Sequence, residues 1–92
     1  MEHRRIAFRV SGRVQGVGFR MFAMQAAARL GVNGWVRNRP DGDVEGEAQG
    51  SGPAIEQFVG RLKDGPRWGH VANLDVDERS PAAGEGDGFM IR

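Results

Sequence analysis

The chain has no cysteine, no tyrosine and only two histidines among its 92 residues. Without cysteine there are no disulfides, no thiolate metal sites and no thiol nucleophile. His3 and His70 lie far apart in sequence and are read as surface or partly buried side chains, not as metal ligands or general bases. No carboxylate pair accompanies the glycine-rich segment described below, so no metal site is expected. No apolar run approaches the roughly 20 residues of a membrane helix, and the N-terminus, Met1-Glu2-His3-Arg4-Arg5, lacks the apolar stretch of a secretion signal. A soluble, cytoplasmic protein with no membrane partner is expected. The formal net charge of +1 is too balanced to argue for a nucleic-acid partner. The length leaves room for a single domain over residues 1–92, which buries a modest core and is expected to be a monomer.

The charge that is present is unevenly placed. Residues 1–40 carry eight arginines and one acid, Glu2, whereas residues 41–92 carry five basic and eleven acidic groups. A basic N-terminal half raises the local concentration of small anions.

Periodicity divides the chain. Ile6, Phe8 and Val10 alternate with Ala7 and Arg9, as in a half-buried strand. Phe22, Ala23, Ala26, Ala27 and Leu30 share one helical face, and Gly31 is placed to cap that helix. Trp35 and Val36 belong to a short strand ending near Asn38, and Pro40-Asp41-Gly42 is turn chemistry, stiffened by the proline. Val44, Gly46 and Ala48 alternate on the return strand. Pro53 opens a second helix with Ile55, Phe58, Val59 and Leu62 on one face, closed by Asp64-Gly65-Pro66. Val71 to Glu78 reads as a fourth strand, Ser80 to Gly88 as a mobile loop, and Phe89 and Ile91 as a short last strand. The order strand, helix, strand, strand, helix, strand is the ferredoxin-like split βαβ arrangement, an α+β fold with two helices on one face of an antiparallel sheet. Phe19, Phe22 and Trp35 are expected in its core.

Between the first strand and the first helix runs Gly12-Arg13-Val14-Gln15-Gly16-Val17-Gly18-Phe19-Arg20. A strand-to-helix junction points backbone amides outward and suits an anion. Glycines at 12, 16 and 18 let the chain curl and a ligand approach, and the planar donor fork of Arg20 suits phosphate. The run is not a nucleotide P-loop, since it ends Gly18-Phe19-Arg20 with no Lys-Ser/Thr pair. Nor is it a dinucleotide fingerprint, since Met21 stands where the last glycine belongs. From these residues alone it is either a phosphate cradle or a glycine-rich turn without a ligand.

The run resembles the acylphosphatase signature Gly-x-Val-Gln-Gly-Val-x-Phe-Arg. A second match follows in order: Gly31, then Gly34-Trp35-Val36-Arg37-Asn38, then Asp41-Gly42-Asp43-Val44-Glu45. The resemblance is dense from Val10 to Gly50, thin after Pro66, and implies the same ferredoxin-like fold. It implies hydrolysis of small acyl phosphates to a carboxylate and inorganic phosphate, without cofactor or metal. By the same resemblance Arg20 matches the phosphate-binding arginine and Asn38 the asparagine that holds the attacking water. The backbone amides of Gln15, Gly16, Val17, Gly18, Phe19 and Arg20 match the phosphate cradle. Gln15 fits either substrate contact or loop packing, Phe19 braces the loop from beneath, and Asp41 is a turn former.

Other occupants of this topology fit less well. RNA-recognition domains carry stacking aromatics on the third strand; here Asp43 to Gln49 holds Asp43, Glu45 and Glu47 and no aromatic. Metal-carrying domains need cysteines in the first loop. The remaining alternative is a non-catalytic module that senses a small anion.

Overall fold

The computed structural model describes residues 3–82 and 88–92. Seven elements follow one another: β1 (His3–Arg13), α1 (Phe19–Leu30), β2 (Asn33–Asn38), β3 (Val44–Ser51), α2 (Gly52–Asp64), β4 (His70–Arg79) and β5 (Phe89–Ile91). They form one sheet in the order β4-β1-β3-β2-β5. Adjacent strands run antiparallel through β2, as expected. The last pair departs from the expected antiparallel sheet, because β5 runs parallel to β2, with Val36 opposite Ile91. The sheet is therefore mixed. Between β4 and β5, which occupy opposite edges of the sheet, lies the segment over residues 80–88. Its described ends are tied down. Gln49 donates to the carbonyl of Ala82 and accepts from its N–H, at 3.3 and 2.8 Å. Gly88 donates to Asn33 Oδ1 at 2.9 Å. The rest of the loop expected over Ser80 to Gly88 lies outside the described residues.

Period-two alternation puts Ile6, Phe8, Val10, Val36, Val44 and Ala48 beneath the two helices, where all are buried. Phe19, Ala23, Ala27, Ile55, Phe58 and Leu62 meet them from above. Phe58 packs edge-on against Phe8, with centroids 5.8 Å apart. Gly46 makes room for this, since a Cβ there would run into the Phe8 ring and the Trp35 carbonyl. The helix limits follow local chemistry. Gly31 takes φ 70° and its N–H bonds the carbonyl of Ala27. Ser51 Oγ accepts from the N–H of Ala54 at 3.2 Å, with Pro53 in the first turn of α2.

Two core expectations change. Trp35 alternates with buried Val36 and therefore lies on the opposite, helix-free face, where Arg37 and Arg92 sit 5.4 and 4.8 Å over its ring. Phe22 is only half-buried; its ring centroid lies 6.1 Å from that of Phe19 and the Arg61 guanidinium lies over it at 5.0 Å. Phe19 is fully in the core.

Candidate functional site

The loop after β1 is shorter than the glycine pattern suggests. Gly12 belongs to β1, where the register against β4 shifts between Ser11 and Gly12. A Cβ there would run into the His70 carbonyl, so this glycine serves the close approach of β4 and not of a ligand. Gly16 and Gly18 behave as expected. Their φ angles are 75° and 78°, and a Cβ at either would meet nothing within 4 Å. Glycine is required there by backbone conformation, and the space beside it is open. Gly18 forms the N-cap of α1, its carbonyl accepting from Phe22 N at 3.0 Å. The N–H groups of Phe19, Arg20 and Met21 precede that first helical bond and have no partner within the helix. Together with the helix dipole they favour negative charge at this end.

The loop is fixed from the side. Gln15 Nε2 donates to the carbonyls of Arg39 and Asp43 at 2.8 and 3.0 Å. Both acceptors lie in the β2–β3 turn, itself closed by Arg39 N to Asp43 O at 2.8 Å. Of the two roles open to Gln15, the structure places its side chain in loop anchoring, beside the residue that follows Asn38.

A cavity of about 220 Å³ opens between these segments. Gly16, Gly18, Phe19, Arg20 and Asn38 line it, together with Val14, Met21 and Ile91. Of the loop residues singled out from sequence, Gln15 and Val17 are not in that lining. Val17 instead packs against the core. Met21 and Ile91 went unrecognised in the sequence. Met21 follows Arg20 directly in the motif, but Ile91 reaches the cavity only through the parallel β2–β5 pairing.

Two polar residues of the lining stand out. Asn38 Oδ1 is buried and has no hydrogen-bond partner among the described residues. Such an acceptor costs about 1–3 kcal/mol unless something donates to it. Arg20 has no hydrogen bond or ion pair among the described residues, whereas Arg9, Arg37 and Arg39 are all bound to acids. Arg39 is raised above its ordinary pKa by Glu45 and then by Asp41. Glu45 is held below the usual carboxylate range, first by Arg39 and then by Arg37. Asp41 is lowered first by the Asp43 N–H, 3.1 Å from its Oδ1, and then by Arg39 and Arg9. That is the turn-forming role expected of it, held as an anion.

Among the described residues no three His, Asp or Glu side chains gather as a metal-binding group, and His3 and His70 are both exposed. No described helix is long and apolar enough to cross a membrane.

A family model for acylphosphatase matches residues 6–91. An acylphosphatase of Salinibacter ruber is 47% identical over 89 residues, covering 97% of this chain and 93% of the relative. One of Bifidobacterium longum is 55% identical over 69 residues, covering 75% and 71%. The crystal structure of acylphosphatase from Bacillus subtilis superposes with a TM-score of 0.92 at 38% identity, covering 97% of this chain and 98% of that one.

Proposed function

We infer the reaction from one premise: this chain belongs to the acylphosphatase family. It is an enzyme of that family, and the reaction proposed is hydrolysis of the carboxyl–phosphate bond of a small acyl phosphate. The observation that carries this reading is the sharing of one cavity by unpaired Arg20 and Asn38.

The phosphoryl group lies in the loop, its oxygens taking N–H groups from Gln15 to Arg20 and the guanidinium of Arg20. A charge-assisted, forked contact binds a phosphoryl oxygen pair more tightly than a neutral donor. The Asn38 side-chain amide holds a water by hydrogen bonding and aims its oxygen at phosphorus. The new bond joins water oxygen to phosphorus, and the bond from phosphorus to the acyl oxygen breaks. The electron pair leaves with the carboxylate, and the water's proton passes to the product phosphate or to solvent.

A carboxylate is a weak base and a good leaving group, so no strong general acid is needed. Positioning and fixed positive charge supply the catalysis, because charge in the transition state spreads over the equatorial oxygens. Asn38 orients without acting as a base, since an amide oxygen accepts but takes up no proton at neutral pH. The mechanism needs no cofactor or metal. A monomer in the cytoplasm suffices for it, with acyl phosphate and inorganic phosphate as its small-molecule partners.

The test is phosphate release from benzoyl phosphate by purified protein in the presence of a chelator. Turnover insensitive to the chelator is expected. A folded protein that binds phosphate without turnover would reassign the site to anion sensing.

A further inference from the structure

The loop and Arg20 account for one end of an acyl phosphate; the other end must lie against what remains of the cavity. Val14 and Phe19 are each only 1% exposed, which leaves Met21 and Ile91 as the accessible apolar side chains. They are 48% and 37% exposed, among the largest exposed hydrophobic groups of the described residues. A single exposed apolar side chain needs no explanation. Two of them from separate elements, meeting in the cavity that holds Arg20 and Asn38, do. Met21 lies in the first turn of α1, and Ile91 is held by β5, where Arg92 N donates to Val36 O at 2.8 Å. Among the described residues no charged side chain except Arg20 lines the cavity, so a charged acyl group finds no counter-ion there once Arg20 holds the phosphoryl group.

We infer that Met21 and Ile91 form an apolar wall for the acyl group, so that the substrates are acyl phosphates with uncharged, hydrophobic acyl groups, aryl or branched alkyl. This rests on the hydrolytic reading of the site. Burial of a substrate's apolar surface against such a wall raises kcat/KM by roughly tenfold or more for a few added carbons.

The experiment compares kcat/KM for benzoyl, acetyl and succinyl phosphate in the wild type, Met21→Gln, Ile91→Ser and Ile91→Leu, with inhibition by inorganic phosphate measured in each. Met21→Gln keeps a good helix former and leaves β5 untouched, so it reports even if Ile91→Ser loosens that strand. The order benzoyl above acetyl above succinyl is expected. Each polar substitution should lower the benzoyl-to-acetyl ratio roughly fivefold, with the inhibition constant moving less than about twofold, while Ile91→Leu keeps the ratio. An unchanged ratio in both polar variants, or succinyl phosphate preferred over acetyl, overturns the wall. Failure of the folded wild type to turn over any of the three, with inorganic phosphate still binding, removes the hydrolytic premise and the inference with it.

Discussion

Arginine does opposite things at two places in this fold. On the helix-free face of the sheet, Arg9 bonds Asp41 and Asp43, Arg37 bonds Glu45, and Arg39 bonds Asp41 and Glu45, at 2.7 to 3.0 Å. At the glycine loop, Arg20 meets no acid among the described residues. The face neutralises its own charge and so offers an anion nothing. The loop keeps a positive charge, open space beside two glycines and the side chain of Asn38 around one small cavity. Basic composition alone does not locate an anion site; an unpaired arginine beside free backbone donors does.

Breaking the loop side of this contrast should have the largest effect. Arg20→Ala is expected to lower kcat/KM for an acyl phosphate by about 10²–10³ or more, with the melting temperature nearly unchanged, because no partner is lost. Arg20→Lys should recover only part of that loss, since an ammonium lacks the fork. Asn38→Ala is expected to slow turnover by about 10², leaving inhibition by inorganic phosphate largely intact. Equal loss of both would make Asn38 a binding or folding residue.

Between loop and face sits the frame that holds them. Gly46→Ala forces a methyl group against the Phe8 ring and should cost about 1–3 kcal/mol in denaturant unfolding.

On the paired face, acid should act before mutation does. Asp41 and Glu45 are depressed below their ordinary values of 3.8 and 4.5, so their stabilisation is present above about pH 4.5 and is lost as pH falls through their lower folded values. The melting temperature should fall between about pH 5 and about pH 3, and Glu45→Gln should shrink that fall. Arg37→Ala is the smallest perturbation. Its side chain is about half exposed, and Glu45 keeps Arg39 as a second partner, so the change is expected to stay under about 1 kcal/mol, with turnover within about twofold of wild type.

What was legible in the sequence was local. Alternation in β1 and β3 and the helical stripe of α2 name their own buried residues. Gly16, Gly18 and Gly31 announce positive φ, because few other residues take it at low cost. What depended on partners was not legible. Trp35 looks like a core residue until Val36 claims the helix-covered face. Gly12 looks like part of the loop until β4 is found against it. The direction of three-residue β5 is set by pairing with β2, and with it the arrival of Ile91 in the cavity. Likewise the sequence shows twelve arginines alike; only the arrangement in space separates Arg9, Arg37 and Arg39, held by acids, from Arg20, which lines the cavity at the glycine loop.

The most direct measurement sets Arg20→Ala beside Arg37→Ala, both folded, in a chelator, with benzoyl phosphate as substrate. Loss of turnover in the first and its retention in the second is the expected result. Near wild-type turnover in Arg20→Ala, or an equal loss in Arg37→Ala, would contradict the claim that the unpaired arginine at the loop carries the chemistry.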